Sequence, residues 1–307
     1  MRITNSTLAN TFLRNLSRNL EHMQTLQIQL SSGKEVSKPS DNPMLLSRIM
    51  SIDNNIKMND QYNTNIQDTI GWVETQDGAL SSVSSTLQRV RELIVYGANG
   101  SLSDTDRAAI QDEMVQLVGE LSQTLNSNFD GRYIFGGQKT TTAPFQVIKN
   151  AEGIDILTYQ GDHNNLAREI ASNVMVDLIT DGGKLNTTSG ASSAENEDLG
   201  SLMGNIIIAL RDGDNEALSG DLLGDIDKHI DNILRVRSKV GAIYNRLGAA
   251  EERNETENLN LTTLLSQKED IDIAEKYMEY SVMESVYQAS LSAGAKILQP
   301  SLLDYIR

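Results

Sequence analysis

The sequence of 307 residues contains no cysteine, four prolines and only three histidines. Without cysteine there is no disulfide, thiolate nucleophile or cysteine-type zinc site. The histidines, His22, His163 and His229, lack the i, i+4 pairing of a helical zinc site, so neither a metal nor an acid–base site is expected from them. No P-loop and no nucleophile elbow occurs. We therefore expect no cofactor, and an enzyme is a minor alternative.

Aromatic and basic residues are also scarce. Aromatic residues make up 5% of the chain, with Trp72 as the single tryptophan, which favours long helices packed side by side over one compact globule. The net charge is −16, which disfavours a nucleic-acid partner because phosphate binding needs clustered lysine and arginine. Residues 1–38 nevertheless carry five basic and two acidic residues, a net charge of +3, which leaves −19 for the rest.

Long apolar runs are missing as well. No run reaches the length that spans a bilayer, so we expect no membrane partner. The first thirty residues lack the continuous apolar core of a cleaved signal peptide. We therefore expect a protein that stays in the cytoplasm or is exported without a cleaved signal.

The clearest pattern that is present lies near the C-terminal end, at residues 271–298. Apolar residues recur there at every third or fourth position, as on one helical face: Ile273, Tyr277, Tyr280, Met283, Tyr287, Leu291 and Leu298. No charged residue occurs between 285 and 295. Because such a helix should be buried on most sides, and terminal segments are usually disordered unless something holds them, we expect this helix to need neighbours.

A matching pattern lies near the N-terminal end. Alternating spacings of three and four give the seam of a coiled coil, with Gln27 at one polar position: Leu13, Leu16, Leu20, Met23 and Leu30. The helix is predicted to end at Ser32-Gly33 and to be followed by a turn over 34–43. Asn42-Pro43 is a good start for the next helix. The two terminal helices are predicted to pair with each other.

Between the ends, the sequence predicts a helical frame with a small β-containing insertion. Long helices are predicted at 43–96 and 216–265, and a short one at 206–210. The segment SLSDTDR (101–107) supplies N-cap candidates for a third helix, which carries Ile110, Met114, Leu117 and Leu121 on one face. The sequence Ser266-Gln-Lys-Glu269 has the form of a capping box, which predicts a separate final helix. Short β-type runs lie at 145–149, 154–159, 166–171 and 174–179. Residues 181–197 have the composition of a flexible linker.

Both ends of the sequence resemble the flagellin family. The N-terminal segment that carries the resemblance is LSSGKEVSKPSDNP (30–43). The C-terminal segments are VGAIYNRL (240–247), EDIDIAE (269–275) and QASLSAGAKILQPSLLDYIR (288–307). Three middle segments resemble the hook–filament junction proteins of this family, the hook-associated protein 3 family: YGANGSLSDTDRAAI (96–110), DGRYIFGGQKTTTAPF (130–145) and TYQGD (158–162).

The resemblance implies a mainly α, flagellin-like fold in three parts. Residues 1–40 with 266–307 would form an inner coiled coil, 41–140 with 198–265 a long helical bundle, and 141–197 a small outer β-rich domain. The implied role is structural: a ring of eleven copies that joins hook-associated protein 1 to flagellin. The apolar residues of the two terminal helices named above would fold against neighbouring subunits, because alone they bury too little to offset their conformational entropy.

The resemblance also implies an extracellular location in the bacterial flagellum. The chain would be exported unfolded through the flagellar type III channel, and an export chaperone would hold its C-terminal helix. Three alternatives remain: flagellin itself, a secreted coiled-coil effector or adhesin that inserts into host membrane, and an enzyme in the middle domain. The last has only His163 and a few acids to draw on at 140–197.

Overall fold

The computed structural model of the chain describes residues 5–100, 102–150, 152–188 and 198–297. These residues are mainly helical and include three small antiparallel sheets, which confirms the predicted fold class. The chain divides into a terminal unit, residues 1–58 with 256–307, and a central unit, residues 59–255. No helix in the described part of the chain is long and apolar enough to cross a membrane.

The elements follow one another along the chain as long helices, then strands, then helices again. The helices described are α1 (Asn5–Ser32), α2 (Pro43–Gly97), α3 (Asp104–Leu125), α4 (Gly183–Asn186), α5 (Leu199–Asp212), α6 (Asn215–Ser219), α7 (Asp221–Glu269) and α8 (Ile273–Ile297). The strand pairs are β1 (Asn128–Phe129) with β2 (Arg132–Tyr133), β3 (Phe145–Lys149) with β4 (Asp155–Tyr159), and β5 (Ala167–Ala171) with β6 (Val174–Asp177). The four strands predicted between 145 and 179 are confirmed to within two residues at each end.

Local sequence accounts for the ends of these helices. Gly33 follows α1 with a φ of +72°, a left-handed conformation that suits glycine after a helix. Asn42 Oδ1 accepts a hydrogen bond from the backbone N–H of Leu45 at 3.1 Å, as predicted for the start of α2. Ser103 caps α3 in a reciprocal capping box with Asp106. The predicted boundaries at these three points are confirmed.

The core of the central unit lies between the helices and the small sheets. The α2 side chains Leu80, Val83, Leu87 and Ile94 are fully buried. One face of α3, predicted from its spacing, is buried with them: Ile110, Met114, Leu117 and Leu121. Helix α5 packs against both α3 and β4 and buries most of its own apolar residues. The β3–β4 sheet is therefore fixed to the helical frame through α3 and α5.

The bounds predicted for the long helix at 216–265 are wrong at both ends. Gly220, with φ −103° and ψ −104°, separates α6 from α7. The predicted capping box at 266–269 is also wrong, because these residues form the last turn of α7. The cap of α8 is Asp272 instead, whose Oδ1 accepts hydrogen bonds from the backbone N–H groups of Ala274 and Glu275. The final helix is nevertheless separate, as predicted.

Part of the predicted linker is packed into the central unit. Helix α4 lies within 181–197, and Leu185 is only 1% exposed. The side-chain amide of Asn232 donates to the carbonyl oxygens of Lys184 at 2.8 Å and Thr187 at 3.2 Å. The linker prediction is therefore wrong for 181–188, because one apolar side chain and these hydrogen bonds fix the segment. Residues 189–197 lie outside the described residues.

Candidate assembly surface

Helices α1 and α8 pack against each other in the terminal unit. They approach each other closely at Gly294, which is buried: a methyl group there would lie 2.3 Å from Cζ of Phe12. Glycine lets the Phe12 ring approach the α8 backbone. The terminal helices therefore pair as the sequence predicts.

Backbone hydrogen bonds link residues 33–35, just after α1, to residues 269–271, between α7 and α8. The backbone N–H of Glu35 donates to the carbonyl oxygen of Glu269 at 2.7 Å. The backbone N–H of Ile271 donates to the carbonyl oxygen of Gly33 at 3.1 Å. The side chain of Lys34 forms an ion pair with Glu269, and hydrogen bonding to this carboxylate raises the pKa of Lys34. These backbone bonds also explain why α7 ends at Glu269, because the chain leaves the helix to pair with 33–35.

The side of α1 that faces α8 differs from the predicted seam. The less exposed residues follow a heptad spacing without a break: Phe12, Leu16, Asn19, Met23, Leu26 and Leu30. Leu13 and Leu20, placed in the seam by sequence, are 49% and 39% exposed. Sequence reasoning missed Phe12 and Leu26. The signal was present, because choosing Leu26 instead of Gln27 keeps the spacing and avoids a polar position.

Helix α8 shows the same division into two sides. Its less exposed row is Lys276, Tyr280, Met283, Tyr287, Ser290 and Gly294. Three predicted site residues, Tyr280, Met283 and Tyr287, lie in this row. Three others, Ile273, Tyr277 and Leu291, are 66%, 63% and 45% exposed. Leu298 lies outside the described residues.

Both helices also leave large apolar side chains exposed outside the seam. We call these side chains together the outer apolar face: Leu13, Leu20 and Ile28 on α1 with Ile273, Tyr277, Met278, Val282, Val286 and Leu291 on α8. Among the residues of the two helices whose burial the structure describes, only Leu26 and Gly294 are buried. Exposed apolar faces of this extent are typical of interaction surfaces. Chemically, the outer apolar face is suited to packing against other helices.

A second feature is the corner where segments 130–145 and 158–162 meet. Phe135 and Phe145 are each 1% exposed, and the Phe145 ring lies 5.1 Å from that of Tyr159. Burial raises the pKa of Tyr159 to about 12, and its hydroxyl donates to the carbonyl oxygen of Asp162 at 2.7 Å. Gly137 has a φ of +68°, and a methyl group there would lie 2.1 Å from the same carbonyl oxygen. The two segments thus form one packed unit, the aromatic–glycine corner.

Both ends of the chain match known protein regions. The bacterial flagellin N-terminal helical region matches residues 3–140, and the bacterial flagellin C-terminal helical region matches residues 223–306. The chain belongs to the flagellin family. Flagellar hook-associated protein 3 of Escherichia coli is 29% identical over 282 residues, covering 86% of this chain and 87% of the relative. Flagellin of Bacillus subtilis is 29% identical over 299 residues, covering 94% of each.

Solved structures of flagellar proteins share the fold. A flagellar hook-associated protein from Vibrio parahaemolyticus matches with a TM-score of 0.65 and 21% identity, covering 75% of this chain and all of its own. FlgL of Bacillus cereus matches with a TM-score of 0.57 and 22% identity, covering 70% of this chain and 99% of its own. As a member of the flagellin family, the chain is an axial structural protein of the bacterial flagellum.

Proposed function

We propose that this protein forms the junction between the flagellar hook and the flagellin filament. The observation that carries the proposal is the aromatic–glycine corner, because its two segments, 130–145 and 158–162, are those that resemble the junction proteins rather than flagellin. Their residues supply much of the packing around β3 and β4, with Phe135 and Phe145 in the core. The corner is therefore part of the fold and not an isolated sequence match.

Flagellin is the second candidate. The Bacillus subtilis relative, which is a flagellin, is as similar in sequence as the Escherichia coli hook-associated protein and covers more of the chain. A filament subunit would form long polymers by itself, whereas a junction protein would stop at short rings. Purified protein examined by electron microscopy under conditions that polymerise flagellin distinguishes the two.

The proposed mechanism is folding coupled to assembly. In the isolated chain, α1 and α8 bury little apolar surface apart from their common seam, and the outer apolar face stays in water. A neighbouring subunit that covers this face supplies the missing hydrophobic stabilisation. The proposed assembly residues are the predicted ones: Leu13, Leu16, Leu20, Met23, Leu30, Ile273, Tyr277, Tyr280, Met283, Tyr287, Leu291 and Leu298.

In this proposal eleven copies of the chain form one ring, with hook-associated protein 1 on one side of it and flagellin on the other. Residues 1–40 with 266–307 form the inner layer, 41–140 with 198–265 the bundle, and 141–197 the outer domain. The chain leaves the cell through the flagellar type III channel, with a chaperone on its C-terminal helix. A chaperone pull-down tests this last part: we expect deletion of 268–307 to abolish retention, and retained binding would contradict it.

Electron microscopy of cells that lack the gene tests the proposed function directly. We expect hooks without filaments and flagellin shed into the medium, both reversed by the wild-type gene. Filaments of normal number and length on such cells would contradict the proposal. Loss of filaments without shed flagellin subunits would identify the chain as flagellin instead.

A further inference from the structure

The turn between α2 and α3 holds the single Asn-Gly sequence of the chain, Asn99-Gly100. Helix α2 ends at Gly97 and α3 begins at Asp104, so the dipeptide lies outside both helices. Asn99 and Gly100 are both exposed to solvent. The assembly proposal makes no use of these two residues. Asparagine is nevertheless one of the chemically labile residues of proteins, and an exposed turn is where it can react with its own backbone.

Two backbone hydrogen bonds hold Asn99 in this turn. Its N–H donates to the carbonyl oxygen of Tyr96 at 3.1 Å, and its carbonyl oxygen accepts from the N–H of Leu102 at 3.2 Å. The N–H of Gly100 makes no hydrogen bond with the part of the chain that the structure describes. The backbone of Asn99 is therefore held in place, while the next backbone nitrogen is not engaged in a hydrogen bond.

Gly100 also leaves room for the side chain of Asn99 to approach this nitrogen. A methyl group at Gly100 would have Nδ2 of Asn215 in α6 as its nearest neighbour, at 3.4 Å. Because glycine carries no side chain, nothing on Gly100 itself shields its backbone nitrogen. The side-chain carbon Cγ of Asn99 can reach this nitrogen, since the ring that joins the two atoms has five members.

Asn126, which precedes Ser127, is an asparagine of the same chain that is held in a different way. Its Nδ2 donates to the carbonyl oxygen of Phe145 at 2.7 Å, and its Oδ1 accepts from the N–H of Phe145 at 3.0 Å. The N–H of Ser127 donates to the carbonyl oxygen of Thr124 at 3.1 Å. Both groups that would have to react are therefore engaged at Asn126, which makes it an internal comparison for Asn99.

We propose that Asn99 is a site of spontaneous deamidation. The backbone nitrogen of Gly100 attacks Cγ of Asn99, and a new C–N bond forms as the side-chain nitrogen leaves as ammonia with the proton that Gly100 loses. The product is a cyclic succinimide. Water then adds to one of the two ring carbonyls and opens the ring, which gives aspartate or isoaspartate at position 99. Water is the one co-reactant of the sequence, and no enzyme takes part.

Either product changes the end of α2. A carboxylate appears just beyond the helix, where the partial negative charge of the helix C-terminus disfavours it. Isoaspartate also lengthens the backbone of the turn by one carbon atom. A methyl group at Gly97 would lie 2.5 Å from Cδ2 of Leu210, so this end of α2 lies close to α5. The inference does not depend on the proposed function, because it concerns one turn of the central unit.

Peptide mapping of the purified full-length protein tests the proposal. The folded protein is kept in a mildly alkaline buffer, which favours loss of the amide proton, and samples are digested with trypsin at intervals. Trypsin releases Asn99 in peptide 92–107 and Asn126 in peptide 108–132, and tandem mass spectrometry locates each change from amide to acid. We expect Asn99 to convert first, into two products of equal mass that chromatography separates, while Asn126 stays an amide.

Matched variants decide whether the Gly100 nitrogen is the nucleophile. Gly100→Ala should slow the conversion roughly tenfold or more, because the methyl group crowds the approach of Cγ to the nitrogen. Gly100 does not adopt a left-handed conformation, so alanine fits this turn. Gly119→Ala, the same change in α3 with nothing within 4 Å, should leave the rate at Asn99 as in the wild type.

Far-UV circular dichroism checks that both variants fold. Four results overturn the proposal: an Asn99 that stays an amide while other asparagines convert, an Asn126 that converts as fast as Asn99, a product without isoaspartate, or an equal rate at Asn99 in Gly100→Ala and the wild type.

Discussion

Single glycines of the central unit differ sharply in what surrounds them. A methyl group at Gly200 in α5 would lie 1.7 Å from the carbonyl oxygen of Leu157 in β4, and backbone atoms on both sides leave little room to move. A methyl group at Gly119 in α3 would meet nothing within 4 Å. Both glycines lie in helices, Gly200 in the first turn of α5 and Gly119 in the interior of α3, and their packing is the main difference between them. The same substitution at the two sites therefore distinguishes the effect of packing from the effect of helix propensity.

We therefore expect opposite results from the same substitution. Gly200→Ala should lower the free energy of unfolding by about 3 kcal/mol, because the added methyl forces α5 away from β4. Gly119→Ala should raise it by about 0.5–1 kcal/mol, because alanine is the better helix former at an exposed position. Urea unfolding of the full chain measures both values. Equal effects of the two substitutions would show that α5 does not pack on β4 as closely as described.

The carboxyl group of Asp198, at the start of α5, is a second case at the residue scale. Burial raises its pKa from 3.8 to about 6. Because the charged form is disfavoured in the folded state, the group weakens stability once both states are ionised. This decrease in the free energy of unfolding is absent below about pH 4 and develops as the pH rises from about 4 to about 6. It is complete above about pH 6.

Asp198→Asn removes the charge and keeps a residue that caps helices well. We expect the variant to be more stable than the wild type at pH 7 and to approach it in stability below pH 4. Thermal unfolding between pH 4 and 8 measures the difference. A difference in stability between Asp198→Asn and the wild type that is equally large at pH 4 and pH 7 would contradict the assigned pKa shift. Asp225→Asn, which removes an acid paired with Lys228, serves as the comparison.

At the scale of elements, α2 and α7 are joined in the central unit by a buried pair of amides. Asn59 Nδ2 donates to the carbonyl oxygen of Asn254 at 2.9 Å, and Asn254 Nδ2 donates to Asn59 Oδ1 at 2.7 Å. Both side chains are about 6% exposed. A polar pair in an apolar helix interface fixes register at a cost in stability.

A double-mutant series tests this role of the pair. Asn59→Ala should lower the free energy of unfolding by about 1–3 kcal/mol, because it leaves the Asn254 amide buried without its partner. Asn59→Leu with Asn254→Leu should be close to neutral or stabilising, because both polar groups are gone. Urea unfolding of the two variants and the wild type gives the comparison. A double variant less stable than Asn59→Ala would contradict the account.

How far sequence alone predicts these elements depends on what determines each one. Periodicity and local caps predicted the terminal helices, α3 and the four strands between 145 and 179, because repeated apolar spacing and turn residues are local signals. The sequence placed the α1 seam at Leu13, Leu20 and Gln27, each one residue after the position that faces α8, because two rows of mainly apolar residues run side by side on this helix. The end of α7 depends on backbone bonds between residues 33–35 and 269–271, which no local pattern contains. The same holds for Leu185, which is buried by distant elements.

At the scale of the whole molecule, the two units differ in how complete their cores are. The central unit buries large side chains from every long helix that it contains. In the described parts of α1 and α8, one large side chain, Leu26, is buried. The central claim is therefore that the terminal unit is completed by neighbouring subunits through the outer apolar face.

A charge placed on the outer apolar face should block assembly without harming the isolated chain. We expect Leu291→Asp to leave the circular dichroism spectrum and melting temperature unchanged, because this side chain is 45% exposed. In cells that carry only this variant, we expect few or no filaments, since an unpaired charge would be buried at the interface. Gln288→Asp, the same change in charge at an exposed polar position of α8, is the control. Normal filaments in the Leu291→Asp strain would count against the role of this face.

Hydrogen exchange of the backbone amides, compared between the verified monomer and the assembled protein, tests the central claim most directly. The account predicts that in the monomer the amides of 5–32 and 273–297 exchange close to the rate of an unstructured chain, while those of α3 and α5 are protected. On assembly the terminal helices should become protected by several orders of magnitude in rate, and α3 and α5 should change little. Strong protection of α1 and α8 in the monomer, unchanged on assembly, would contradict the account.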